Sequence, residues 1–336
     1  MRLNLEQIRA AACGAVQVTE EKNGFWLHRF TEAQEKLYIA RKNEDKTRIP
    51  VGIALSFRTD SRTLTLSAVT EQTSSRWFFA FDVSVNGAYI GSMDNYCDRA
   101  LPPVYAGTQL PHGEFTKTFD LGEGEKTVRI QLPYSAKVLV SEVTLEEGSS
   151  FVPVKRPKKL LCFGDSITQG YDALHPSRTY TSRLADMLDA EQYNKGVGGE
   201  RFIPELARLP EEFVPDCITV AYGTNDWGKM SAEDFTANCR AFFENLRATY
   251  PDTPVFAVTP VWRADLDTER PMGPFGELHR IIAETADSLP QVYVVDGRGL
   301  IPPETSLFGD GRLHPADEGF AHFAENLYAA MTEYHK

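Results

Sequence analysis

The sequence is poor in cysteine, and none of it has the spacing of a metal ligand. Cys13, Cys97, Cys162, Cys217 and Cys239 are odd in number, far apart and never form a Cys-x-x-Cys pair. That excludes a disulfide framework or structural zinc site and fits free thiols in a reducing compartment. Long apolar runs are missing too: no stretch approaches the ~18 residues a membrane crossing requires. Residues 1–21 are interrupted by polar side chains throughout, without the apolar centre of a secretory signal. The location expected from these absences is the cytoplasm, with no membrane partner. Basic excess is also absent, since 35 Lys and Arg stand against 47 Asp and Glu, a net charge of −12. Such a surface repels polyanions, so no nucleic-acid partner is expected.

What remains is an ordinary globular composition, 42% hydrophobic and 24% charged over 336 residues, enough for about two domains at ~150 residues each. The two halves differ in periodicity. In residues 1–150, apolar side chains alternate with polar ones in Ile53–Phe57, Leu64–Ala68, Phe79–Val85, Val128–Leu132 and Val138–Leu145, the period of strands with one buried face. Asn86-Gly87 supplies the positive-φ pair of a type I′ hairpin turn. An antiparallel sandwich is predicted, with Thr31–Tyr38 as its one helical exception behind a Thr cap. A Gly-, Ser-, Pro- and Lys-rich stretch, residues 147–159, reads as the linker.

From residue 158 to 336 short apolar runs (Lys159–Phe163, Cys217–Tyr222, Val255–Val258, Val292–Val295) alternate with amphipathic stretches (Thr181–Leu188, Ala232–Thr249, Phe275–Leu289) and a last helix from Ala316 to about Glu333. That order predicts a parallel sheet covered on both faces. Ligands of such sheets bind at the carboxyl ends of the strands, and four short motifs fall there. Gly164-Asp165-Ser166 follows the first strand, with Ser166 as nucleophile or, more blandly, as a helix N-cap. Gly196-Val197-Gly198-Gly199 lets a backbone N–H approach a ligand. Gly223-Thr224-Asn225-Asp226 ends the Cys217–Tyr222 run and offers an amide donor. Asp310-Gly311-Arg312-Leu313-His314-Pro315 precedes the final helix. Of the seven histidines only His314 has this context, with His175 a weaker candidate. Together they supply what acyl transfer needs: a hydroxyl, a base matched to it, and donors for an oxyanion. Asp165 reads as a structural tie for its loop.

The set of four resembles the SGNH (GDSL-type) hydrolase superfamily over residues ~158–336. The resemblance implies a flavodoxin-like α/β/α fold and ester chemistry without metal or organic cofactor. It implies Ser166 as nucleophile, His314 as base, and Ser166, Gly199 and Asn225 as the oxyanion hole. One departure stands out. The superfamily places its acid three residues before the histidine, where this chain has Gly311; Asp310 lies four before. Either the loop bulges and Asp310 still reaches the imidazole, or a backbone carbonyl orients the ring and the unit is a dyad.

A sandwich ahead of such a domain resembles the two-domain carbohydrate acetylesterases with a jelly-roll-like N-terminal domain, some of which lack the acid. The substrate expected is a small-molecule or oligosaccharide ester, with Trp227, Trp262, Arg201 and His175 as substrate-binding candidates at the catalytic edge. The oligomeric state stays open. The alternatives are a lipase or lysophospholipase, an acyl thioesterase, or a non-catalytic carbohydrate-binding protein on the same fold.

Overall fold

The computed structural model describes residues 1–21 and 23–334. Its first half holds two antiparallel sheets. One runs Ala12–Cys13, Ala54–Thr59, Lys126–Gln131, Ala80–Val85 and Ala88–Asp94 in that spatial order, with Val152–Pro153 added beside Ala54–Thr59. The other runs Gln17–Glu21, Gly24–His28, Ala136–Leu145, Thr63–Gln72 and Gly113–Asp120. Period-two patterning explains why they stack: in Thr63–Gln72 the buried positions are Leu64, Leu66, Ala68 and Thr70. Leu64, Leu66 and Ala68 meet Phe57, Phe81, Val83, Val128, Ile130, Val140 and Val143 in one apolar core. The hairpin turns where expected, with Asn86 at φ 50° and Gly87 at φ 82°.

The second half carries a five-stranded parallel sheet in the order Ala190–Asn194, Lys158–Gly164, Cys217–Ala221, Val255–Val258, Val292–Val295. In chain order this is 2-1-3-4-5, the flavodoxin-like arrangement. Alternate residues of each strand serve opposite faces. Leu161, Phe163, Ile218, Val220 and Val255 pack under Phe235, Phe242 and Leu246 of the helix Ala232–Thr249 and under Leu278, Ile281 and Ile282 of Gly276–Asp287. Leu160, Cys162, Phe256 and Val258 face Leu184 of Tyr180–Leu188 and Phe320, Phe323 and Leu327 of Asp317–Glu333. Phe242 is wholly buried, and cutting such a ring to Ala costs about 3–5 kcal/mol.

The two halves share cores. Phe30 and Tyr38 join the cluster around Tyr193 and Val197, and Ile49, Val51, Phe78 and Tyr134 join the one around Leu160 and Tyr171. The helical exception is Glu32–Ala40, opened by a reciprocal Thr31–Gln34 capping box. A second helix, Leu5–Ala11, has a similar box from Asn4 and Gln7. The basic linker is anchored rather than loose: Arg156 pairs with Asp186 at 2.6 Å, and the Lys155 ammonium donates to the Ala12 carbonyl. Among the described residues, no helix is long and apolar enough to cross a membrane.

Candidate active site

The strand Lys158–Gly164 ends in a turn too tight for a side chain, since a Cβ on Gly164 would come within 1.9 Å of Thr168 Oγ1. The short helix Ser166–Gln169 starts there. Its N-cap is Asp165, not Ser166: Oδ1 of Asp165 accepts from the Ile167 N–H at 2.9 Å. The Ser166 hydroxyl is thereby left for other work, and Ser166 Oγ lies 2.8 Å from His314 Nε2. The other Asp165 oxygen accepts from Asn225 Nδ2 at 3.2 Å. Burial pushes the Asp165 carboxyl up to about 6, against the Ile167 N–H and the charges of His314 and Arg263.

The histidine loop is organised by Asp310. Gly311 takes φ 65°, and this left-handed step lets the chain curl around the carboxylate. Oδ1 of Asp310 accepts the N–H groups of Arg312 (2.9 Å), Leu313 (2.7 Å) and His314 (3.1 Å). Oδ2 lies 2.7 Å from His314 Nδ1. The four-residue spacing is thus bridged by a bulge, the first of the two arrangements the sequence left open. Burial opposes the Asp310 charge, but the hydrogen bond and charge of His314 and the backbone N–H groups outweigh it and hold the carboxyl below its usual range.

Gly199 lies at φ 81° with open space where a Cβ would be, and its N–H has no acceptor among the described residues. The Ser166 N–H opens its helix and is one of the orphan donors of that terminus. Asn225 differs: besides Asp165, its Nδ2 donates to the Glu200 carbonyl at 3.0 Å, so its amide hydrogens are already engaged. The glycine loop is braced from the first half. Arg29 Nη1 donates to the carbonyls of Asn194 (3.0 Å) and Gly196 (2.7 Å), and Lys46 donates to Gly198 at 2.8 Å. Arg41 and Asn43 hold Glu200 at 3.0 and 2.8 Å.

The four substrate-binding candidates separate. Trp227 is completely buried, with Arg263 and Arg270 each 5.2 Å from its ring and Nε1 donating to Gly273. It stiffens the loop after Asn225 and offers no face to a sugar. His175 is an interdomain contact, 2.9 Å from Asp82 of the sandwich, with Tyr89 and Tyr96 edge-on to its ring. Arg201 lines a cavity of about 230 Å³ with Arg41, Phe202 and Met230, whose wall includes neither Ser166 nor His314. Trp262 is partly buried against Phe308, 5.2 Å between centroids, and so flanks the histidine loop.

Sequence reading missed the groups that crowd His314 from outside its loop. Arg76, in the sandwich, places Nη2 3.0 Å from His314 Nδ1 and binds Asp172 at 2.5 and 3.1 Å. Tyr171 lies 5.4 Å from the imidazole, and Tyr105 donates to the Asp172 carbonyl at 2.5 Å. Tyr171 and Asp172 follow Gly170 directly and could have been weighed with the Ser166 motif; nothing in the sequence marks Arg76.

Residues 162–322 match the family model of GDSL-like lipases and acylhydrolases. That stretch is a GDSL-like lipase/acylhydrolase domain by its match to the model. The salicylyl-acyltransferase SsfX3 of a tetracycline biosynthetic pathway shares 22% identity and superposes with a TM-score of 0.81 over 96% of this chain and 94% of that one. A GDSL-like lipase from Bacteroides ovatus gives 18% identity and 0.78 over 99% and 97%. A family two carbohydrate esterase from Clostridium thermocellum, solved with cellohexaose, gives 16% and 0.61 over 85% and 95%. These likenesses concern the fold, sandwich included. No curated protein matches the sequence.

Proposed function

We propose that the chain is a serine esterase that removes small acyl groups, acetyl foremost, from O-acylated carbohydrates. The observation that carries the chemistry is the unbroken relay from Ser166 Oγ to His314 Nε2 at 2.8 Å and from His314 Nδ1 to Asp310 at 2.7 Å. Ser166 Oγ attacks the ester carbonyl as its proton passes to Nε2. Asp310 holds the ring in the tautomer with Nδ1–H and stabilises the imidazolium. The tetrahedral intermediate collapses, the alcohol leaves with the proton from Nε2, and water then repeats the sequence on the acyl-serine. The oxyanion takes the Ser166 and Gly199 N–H groups, and Asn225 joins by turning a hydrogen away from Glu200 or Asp165.

The carbohydrate reading is supported by the two-domain likeness to family two carbohydrate esterases. Trp262, beside the histidine loop, is the aromatic best placed to meet a sugar ring. The likeness to SsfX3 across nearly the whole chain favours a second outcome for the same acyl-serine, transfer to an alcohol instead of water. Ser166→Ala in the full chain tests the nucleophile: turnover of a short aryl acetate should fall by at least ~10³-fold, and a fluorophosphonate should label the parent protein at Ser166 only. Retained turnover, or an unlabelled parent, overturns the reading and leaves a binding protein. Rates on acetate, butyrate and octanoate esters and on acetylated oligosaccharides, with and without a sugar acceptor, decide substrate and fate of the acyl group.

A further inference from the structure

His314 is crowded on the side away from the serine. Arg76 Nη2 is 3.0 Å from Nδ1 and 3.9 Å from Asp310 Oδ2. Asp172 Oδ2 is 4.0 Å from the same Nδ1. If Ser166 donates to Nε2, the ring hydrogen is on Nδ1, and its acceptor is Asp310. A second donor 3.0 Å from that nitrogen has no lone pair to meet. Arg76 is held there by other groups: its guanidinium pairs with both oxygens of Asp172 and stands 4.8 Å over the Tyr171 ring. Asp172 is wholly buried at φ 74°, a conformation that Asp and Asn tolerate better than other side chains with a Cβ. Burial raises the Asp172 carboxyl and Arg76 opposes that rise. Burial likewise works against the Arg76 charge, and Asp172 more than restores it.

We propose that Arg76 and Asp172 are a positioning pair for the catalytic histidine, with the sandwich domain supplying the cation that fixes the charge around His314. The proposal rests on the Ser166–His314 reading above and deepens it. The charged or titratable groups facing the ring are Asp310 on its own loop, Asp172 and Tyr171 after the nucleophile helix, Asp165 before it, and Arg76 from the sandwich. With Arg76 in place, Asp172 is spoken for and Asp310 alone receives the Nδ1–H. Without Arg76, two carboxylates compete for one hydrogen and together favour the imidazolium, which cannot act as base. Without the Asp172 charge, the guanidinium stands uncompensated against the ring and opposes the imidazolium that the transition state requires.

The two single substitutions therefore push in opposite directions. In the full-length protein, Asp172→Asn should move the acidic limb of the kcat/KM profile for an aryl acetate down by about one pH unit, and Arg76→Met should move it up by about as much. Both should lower kcat at the wild-type optimum. Arg76→Lys, which keeps the charge, should hold the limb near its wild-type position, and the Arg76→Met/Asp172→Asn double variant should bring it back. Lower rates with an unmoved limb, or limbs moving the same way in both single variants, would mean a packing role only and overturn the proposal. Should Arg76→Met fail to fold, Asp172→Asn decides alone, because Asn is isosteric and suits that backbone. Ser166→Ala is run beside them: if it keeps turnover the nucleophile reading fails, whereas a dead Ser166→Ala with unshifted limbs sinks only the pair.

Discussion

The two loops that frame Ser166 are built on opposite principles. The histidine loop organises itself: one carboxylate oxygen of Asp310 gathers three successive N–H groups and the other meets the ring, all within residues 310–314. The glycine loop, residues 194–200, has less of this within itself, Asn194 Oδ1 accepting the Gly196 N–H at 2.8 Å and the Val197 carbonyl the Glu200 N–H at 3.1 Å, and leans on distant residues. Its carbonyls are taken by Arg29 and Lys46, and its one buried cation, Lys195, pairs with Glu211 at 2.9 Å while also donating to Gln34 and the Arg29 carbonyl. Changes at the His314 loop should thus alter activity without loss of stability. Changes under the glycine loop should cost stability and activity together.

Asp310→Asn is the sharpest probe of the first loop. The three N–H groups pin an oxygen at the Oδ1 position, so the amide cannot flip and its NH₂ faces Nδ1. The ring must then accept there and carry its hydrogen on Nε2, aimed at Ser166. We expect kcat to fall by roughly 10²- to 10⁴-fold with little change in the urea midpoint. A loss below about tenfold would mean that Asp310 is dispensable and the unit works as a dyad.

Glu211→Leu probes the second loop. Lys195 and Glu211 are both fully inaccessible, and removing one partner of a buried pair strands the other's charge, typically at about 3–5 kcal/mol. The urea midpoint and kcat should drop together. Lys195→Met combined with Glu211→Leu should recover much of the loss, since the double change leaves no orphaned charge. A single variant as stable as the parent would show that the loop does not depend on this anchor.

The same contrast governs what could be read from sequence. The parallel sheet and its helices were legible because doubly covered strands read as continuous apolar runs. Ser166, Gly199 and Asn225 stood out because each sits in a short motif after a strand, and His314 because its motif precedes the last helix; the structure brings Ser166 and His314 together. The sandwich was legible in strands whose sequence alternates apolar and polar side chains, although Ala54–Thr59 and Ala80–Val85 are in fact largely buried on both faces. Gly113–Asp120 was not seen: it lies at a sheet edge with most side chains exposed, so it has little alternation to show. Leu5–Ala11 was missed despite its Asn4–Gln7 box because it is only two turns long. Trp227 was misplaced because a loop-end tryptophan looks identical whether it faces a ligand or, as here, two arginines. Arg29, Lys46 and Arg76 reach the site across 90 residues of sequence or more, a distance no local pattern encodes.

The smallest expected effect concerns a carboxylate beside Asn225 that neither loop uses. Asp226 is fully buried; no donor meets its oxygens in full hydrogen-bond geometry, and the Phe202 and Asp226 N–H groups are near enough only to favour its charge in part. Burial pushes it up to about 8, with Arg201 partly opposing and Asp165 adding to the rise. In the unfolded chain the group ionises near its ordinary value of 3.8. Between these values the folded state holds the extra proton, so stability must decline as pH rises through the window. This contribution is fully present below about pH 4 and gone above about pH 8. Asp226→Asn removes the titration and keeps the shape. Its Tm should lie closest to the parent's near pH 4 and exceed it by the widest margin near pH 9, while the other carboxylates titrate alike in both proteins. Equal melting curves at pH 9 would show that Asp226 is already ionised and partnered when folded, and that the floor beneath Asn225 is charged rather than neutral.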